Sequence, residues 1–226
     1  MNILALDTSM GVCSAAVLRT GPSERAEALR ETRMLRGHAE ALMPMVEAVL
    51  DEAGLAPSQL DVIAATQGPG SFTGVRIAIA AARGLTLTSG ASLYGTDSLT
   101  AMARRALREG LAPDGPFAVA VDARRGMVYF GVFGADGSRL DGPSLLTPED
   151  AAACLSGGLA VGSAAGLLAA AAGNQALNAA RPDLQPGAMA LAHLAAESGV
   201  RTPVLRPLYL RPPDAKPQNT ALERRP

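Results

Sequence analysis

Gln67-Gly68-Pro69-Gly70-Ser71-Phe72-Thr73-Gly74-Val75-Arg76-Ile77 is the stretch from which the fold can be read. The run before it, residues 61–66, is short and apolar with strand character, and the run after it, residues 74–88, is apolar and of helical length. Between them a strand must pass into a helix through three glycines and a proline. Gly68, Gly70 and Gly74 let another backbone or a ligand approach closely, and Pro69 limits the freedom of the loop. A turn of this kind offers free N–H groups and a helix dipole to a phosphate. The familiar phosphate-binding spellings are absent, because no Gly-Lys-Ser/Thr ends the loop and the glycines do not keep the G-x-G-x-x-G spacing. The nucleophile elbow G-x-S-x-G fails as well. Local physics therefore favours a tight turn that sets the helix against the sheet.

Upstream, residues 2–9 read as a strand that returns through 13–18, a hairpin with Asp7-Thr8-Ser9 at its bend. One carboxylate and two hydroxyls there suit a phosphate held through Mg²⁺ or water, and equally suit a turn tied by side-chain hydrogen bonds, which is the commoner use. Residues 19–33 contain the turn Gly21-Pro22-Ser23 and then a third, solvent-facing strand. From His38 the pattern turns helical: Leu42, Met45/Val46 and Val49/Leu50 recur at three- and four-residue steps, Pro44 bends the helix and Gly54 closes it. His38 and His193 are the only histidines, and H-x-x-x-H would need a histidine where Leu42 stands, so no metal is expected.

Downstream, Val75, Ile77, Ile79, Leu85 and Leu87 surround the second helix almost completely, leaving Arg76 and Arg83 as its charges. A helix apolar on every face must be covered on every face. One side lies on the sheet. The other is either interior or reserved for another protein, which Ala78, Ala80, Ala81, Ala82 and Gly84 would let come close, and the residues leave both readings open. The protein-contact reading draws on His38, Leu42, Met45, Val46 and Val49 of the first helix and on Val75, Arg76, Ile79, Ala82 and Arg83 of the second.

A strand at 91–94 and a helix at 98–109 with Asp97 as its N-cap follow, and the breakers of 110–116 mark a lobe boundary, giving lobes 1–110 and 111–226. Residues 117–122 and 127–133 then repeat the opening hairpin, with Asp122-Ala123-Arg124-Arg125-Gly126 at the bend, which points to a duplicated architecture. After Thr147 a helix begins at Pro148-Glu149-Asp150, and Gly162-Ser163-Ala164-Ala165-Gly166 forms a second strand-to-helix junction. Gly162 and Ser163 thereby join Asp7, Thr8 and Ser9 as a candidate vestigial nucleotide site. A last helix spans 188–198 and includes His193. The proline-rich tail, 204–217, is extended, and from residue 201 onward six Lys/Arg face two Asp/Glu. Such an end suits RNA phosphates, an acidic partner surface or a frayed terminus.

Hydrophobic residues make up 48% of the 226, much of it alanine, whereas aromatics are 3% and tryptophan is absent. Packing must rest on close helix-to-sheet approach. A net charge of −1 supplies no long-range pull on nucleic acid or acidic membranes, which disfavours autonomous tRNA binding. The opening residues lack a basic leader and 158–173 is too short to span a bilayer, so a cytoplasmic protein without a membrane segment is expected. Cys13 and Cys154 are expected as reduced, buried small hydrophobes.

Leu4-Ala5-Leu6-Asp7-Thr8-Ser9, His38-Ala39-Glu40 with Leu42 and Pro44, the stretch 68–77, Asp122-Ala123-Arg124 and Pro207-Leu208-Tyr209-Leu210-Arg211 together resemble the bacterial TsaB (YeaZ) family of tRNA threonylcarbamoyladenosine biosynthesis proteins. The resemblance runs over nearly the whole chain. It implies an α/β, two-lobed actin-like ATPase (ribonuclease H-like) fold, with a mixed β-sheet and flanking helices in each lobe. It also implies a non-catalytic subunit without cofactor, which binds a TsaD-like catalytic paralogue through the two first-lobe helices, and a TsaE-like ATPase. Together these place a threonylcarbamoyl group on the tRNA adenosine beside the anticodon, tRNA being reached only through the complex and a homodimer forming when the chain is alone. The paralogue carries metal-binding histidines on the helix matching 38–50, and Leu42 stands at the second of those positions. Older glycoprotease labels for the family find no metal set, triad or dyad here. Two rival readings are a free-standing actin-fold ATP-dependent phosphotransferase using Asp7, Thr8 and the 162–166 turn, and a tRNA-binding module using the tail with Arg76 and Arg83.

Overall fold

The computed structural model describes residues 1–21, 26–111, 113–173 and 176–211. The chain opens with β1 (Asn2–Asp7), β2 (Val12–Arg19) and β3 (Ala26–Arg33), then α1 (His38–Ala53), a 3₁₀ turn at Pro57–Gln59, β4 (Val62–Thr66), α2 (Phe72–Ser89), β5 (Ser92–Thr96) and α3 (Ser98–Arg108). The order then repeats: β6 (Phe117–Asp122), β7 (Val128–Phe133), β8 (Arg139–Leu146), α4 (Pro148–Ala153), β9 (Gly158–Val161), α5 (Ala165–Ala171), β10 (Leu177–Ala180) and α6 (Ala188–Ser198).

Each half forms a five-stranded sheet, β3-β2-β1-β4-β5 and β8-β7-β6-β9-β10. In both, an antiparallel meander of three strands is extended by two parallel ones. The two hairpins read in the sequence are therefore the first two strands of two units of the same order, and the suspected duplication extends to every strand and α-helix. Two-residue alternation explains why β1 is apolar throughout. Leu4 and Leu6 face α1 and α2 on one side of the first sheet, while Ile3 and Ala5 face α6 on the other. The third strand is solvent-facing, as expected, with five consecutive exposed residues at its end.

Residues 110–116 lie between the strands of the first sheet and those of the second, but the layers that cover the two sheets are exchanged. The last helix of each unit crosses to the other: α3 packs Leu99, Met102, Ala103 and Ala106 on Phe117, Val119 and Phe133 of the second sheet, and α6 packs Ala188, Leu191, Ala192 and Ala195 on the first. These two helices also meet each other.

Local signals act where the residues place them. Gly54 ends α1 at φ 62, Asp97 accepts the Thr100 amide at 2.9 Å, and Thr147 accepts that of Asp150 at 3.1 Å. The helix after the glycine turn starts at Phe72, not Gly74, because Ser71 is its N-cap. Cys13 is buried, but Cys154 is exposed at the end of α4, against expectation. The described part of the tail is extended, yet it is not frayed. Thr202 N donates to Leu93 O at 2.7 Å and Leu208 N to Gln67 O at 2.6 Å, so residues 201–211 run as a strap beside β5 and α2. The rest of the tail, and Pro22 and Ser23 of the early turn, lie outside the described residues. No helix among the described residues is long and apolar enough to cross a membrane.

Candidate protein-docking face and inter-lobe cleft

The glycine turn grips a backbone. Ser71 N donates to Ser9 O at 2.7 Å, Thr8 Oγ1 donates to Gly74 O at 2.6 Å, and a Cβ at Gly70 or Gly74 would stand 2.2 Å from Ser9 O or 2.0 Å from Thr8 O. The glycines exist so that α2 can start against the hairpin bend, which is the reading local physics favours. The second unit repeats the device: a Cβ at Gly162 would stand 2.3 Å from Ala120 O.

This clamp seals the hairpin bend. Asp7, Thr8 and Ser9 are wholly buried. Asp7 Oδ1 accepts hydrogen bonds from Thr66 Oγ1, from Ser9 Oγ at 2.7 Å and from Ser9 N at 3.3 Å, while Oδ2 has no partner among the described residues. Burial pushes the Asp7 carboxyl well above the usual aspartate range, against these hydrogen bonds. The cleft between the lobes, ≈ 470 Å³, is lined by Gly70, Ser71, Asp122, Arg124, Tyr129, Ser163 and Gln185 among others. Ser163 reaches it and accepts a hydrogen bond from Asp122 N at 3.0 Å, but Asp7, Thr8, Ser9 and Gly162 do not line it. The five residues of the candidate vestigial nucleotide site are not brought to a common surface. A second depression, ≈ 580 Å³, adjoins the cleft through Met10, Gly11 and Ser71 and reaches His38, Glu40 and Thr73. His38 Nε2 lies 3.1 Å from Met10 O, so that nitrogen carries the proton and donates it. Among the described residues no group of three or more His, Cys, Asp and Glu is placed to hold a metal.

The ten residues expected at a protein contact separate by burial. Leu42, Val46, Val49, Val75, Ile79 and Ala82 lie in the core of the first unit, beneath the α1–α2 layer. They hold the face up and do not form it. His38 and Met45 are half-buried, and Arg76 and Arg83 are exposed, but both arginines are engaged by the strap: Arg76 Nε donates to Tyr209 Oη at 2.7 Å and Arg83 to Leu205 O. Among the residues the two helices turn outward, Met43, Phe72 (56% exposed), Ala80, Gly84 and Leu87 (88% exposed) are apolar or small, beside the exposed carboxylates Glu40, Glu47, Asp51 and Glu52 of α1. At Gly84 the space where a side chain would stand is open. Among the described residues, helix α2 is therefore covered on one side and bare on the other. Phe72 and Tyr209 were not singled out for this face in the sequence. Their signal was faint, two aromatic residues in a chain almost without them.

Comparison with known proteins places this architecture. A profile of the TsaD family, described as tRNA N6-adenosine threonylcarbamoyltransferase, matches residues 32–208. The tRNA threonylcarbamoyladenosine biosynthesis protein TsaB of Haemophilus influenzae is 37% identical over 130 residues, 58% of this chain and 52% of that protein. TsaB of Escherichia coli is 36% identical over 136 residues, 60% and 56% respectively, so the match spans about half the length of these relatives. An uncharacterised Mycobacterium tuberculosis protein is 35% identical over 222 residues, 96% of this chain and 94% of its own. The solved structure of YeaZ from Pseudomonas aeruginosa superposes with a TM-score of 0.76 at 34% identity, covering 92% of this chain and 99% of that one. With its duplicated sheets, crossed final helices and this set of relatives, the chain belongs to the TsaB (YeaZ) family and has its two-lobed, actin-like (ribonuclease H-like) fold.

Proposed function

We propose that the chain acts in the cytoplasm as a non-catalytic scaffold for N6-threonylcarbamoyladenosine modification of tRNA, at the adenosine next to the anticodon. It does so by binding a TsaD-like catalytic subunit and a TsaE-like ATPase, and it meets tRNA only within that complex. The observation that carries this reading is the bare outer side of the α1–α2 layer, where Met43, Phe72 and Leu87 are exposed beside Ala80 and Gly84. Exposed apolar side chains next to small residues are what a close helix-to-helix contact needs. The names of the curated relatives, and the TsaD-family profile that spans most of this chain, support the pathway. Leu42 supports the absence of chemistry: it is 1% exposed and committed to core packing where a ligating side chain would be required.

The test is co-expression with the TsaD-family subunit of the same organism. A stable heteromer is expected, with tRNA modification only when that subunit, the ATPase and this chain are combined. Ala80→Glu, on an exposed position, is expected to abolish the heteromer and leave the thermal melt of the isolated chain unchanged. Modification by the isolated chain, or a heteromer indifferent to Ala80→Glu, would count against the proposal.

A further inference from the structure

The docking face does not end with the two helices. Phe72 opens α2 and Arg76 follows four residues later, so both stand on one side of it. The Arg76 guanidinium lies 3.8 Å from the Phe72 ring centroid, and the Tyr209 ring stacks on Phe72 at 5.3 Å with 23° between planes. Arg76 Nε donates to Tyr209 Oη at 2.7 Å, which fixes the guanidinium and leaves its two amino groups without an acceptor among the described residues. Both rings are about half exposed, Phe72 at 56% and Tyr209 at 45%. The strap that brings Tyr209 there is held from below by Gln67, whose Nε2 donates to Arg206 O at 2.7 Å, and by Arg83 on Leu205 O.

Two aromatic rings and an arginine, ordered before any contact is made, have the composition of an interface anchor. The charge around them has one sign. Helix α2 and residues 199–211 hold five arginines, 76, 83, 201, 206 and 211, and no Asp or Glu. Helix α1, in the same layer, holds Glu40, Glu47, Asp51 and Glu52 and no Lys or Arg. Phosphates laid across the layer would meet the α1 carboxylates, whereas a protein surface can match the split, with acid over α2 and the strap and base over α1. Resting on the scaffold reading above, we infer that the carboxyl-terminal strap is part of the docking face, that Phe72, Arg76 and Tyr209 are its anchor, and that the partner protein presents a carboxylate to the Arg76 guanidinium. A carboxylate accepting one N–H from each free amino group would pair with the guanidinium bidentately.

Titration of the purified TsaD-family subunit of the same organism into the full chain tests this. Wild-type binding is expected to weaken with added salt, and Arg76→Gln and Phe72→Ala are each expected to weaken it about tenfold or more. Tyr209→Phe keeps the stack but removes the oxygen that fixes Arg76, and is expected to have a smaller effect. All three positions are exposed, and unchanged thermal melts would show that folding is intact. If wild type binds and Arg76→Gln binds equally tightly, this inference fails while the scaffold stands. If wild type does not bind at all, the scaffold reading fails and takes this one with it. Self-association lost in Arg76→Gln with partner affinity unchanged would give the surface to a second copy and overturn the inference. Binding of tRNA by the chain alone, lost in the same variant, would overturn it in favour of RNA.

Discussion

A side chain at Gly74 would put its first carbon 2.0 Å from the carbonyl oxygen of Thr8. Neither partner can yield, because Thr8 Oγ1 is bonded to Gly74 O and both belong to the junction of β1, β4 and α2. Gly74→Ala and Gly70→Ala should each cost about 3 kcal/mol, the upper end for overpacking a rigid site. For a chain of this size that lowers Tm by roughly 6–12 °C. Gly84→Ala is the contrasting case, with open space around it on an exposed stretch of the same helix. It should gain up to about 1 kcal/mol, or roughly 2–4 °C. Calorimetry of the three variants checks both signs, and a stable Gly74→Ala protein would remove the clamp from the account of the fold.

Asp7 should make stability depend on pH in a direction opposite to most carboxylates. Desolvation raises its native pKa above the 3.8 of an ordinary aspartate, so the folded state holds the proton more tightly than the unfolded chain does. The contribution is fully present below that value and is lost as pH rises through the raised native pKa. Asp7→Asn keeps an oxygen for Thr66 and Ser9 but has no proton to lose. Its stability relative to wild type should therefore improve in denaturant titrations as pH rises from the ordinary aspartate range through the raised native pKa. A relative stability that falls over this interval would show that Asp7 is folded as the carboxylate.

How far the residues themselves reveal such sites depends on separation along the chain. The β1–β2 hairpin, the α1 stop at Gly54 and the Asp97 and Thr147 caps are local, and each is spelled by neighbouring residues. Duplication was legible because two hairpins repeat their bends. The crossing of α3 and α6 was not, since an apolar helix face carries no label for the sheet it will meet. Helical spacing also could not tell which residues of α1 and α2 face inward. Six of the ten residues read as a possible protein contact are buried, because a small first sheet needs Leu42, Val46 and Val75 for its own core. Arg76 and Tyr209 are 133 residues apart, and nothing in either segment announces the other.

A charge chain through α3 ties the two units together. Arg105 on α3 gives Glu31 of β3 two hydrogen bonds, at 2.8 and 2.9 Å, and gives Glu109 a third at 2.6 Å, while Arg181 beyond β10 also meets Glu109. Arg105 is 23% exposed, so screening is incomplete. Arg105→Met should cost about 2 kcal/mol, by analogy with charged hydrogen bonds, and the deficit should shrink in high salt. A loss that salt does not reduce would assign Arg105 to packing by its hydrocarbon stem instead.

Asp97 allows its two duties to be separated. Its Oδ1 caps α3 through the Thr100 amide at 2.9 Å, and its Oδ2 accepts from Thr100 Oγ1 at 2.6 Å and from Arg139 of β8, also at 2.6 Å. The side chain is 4% exposed and that of Arg139 46%, so removing the carboxylate frees an arginine that water can still reach. The pair itself should therefore add little, and the cap should dominate. Asp97→Ala should cost about 1–2 kcal/mol, whereas Asp97→Asn, an equally good cap, should cost about 0.5 kcal/mol. Urea midpoints at unchanged slope measure the difference. Equal losses in the two variants would mean that the link from α3 to the second sheet, and not the helix start, is what Asp97 provides.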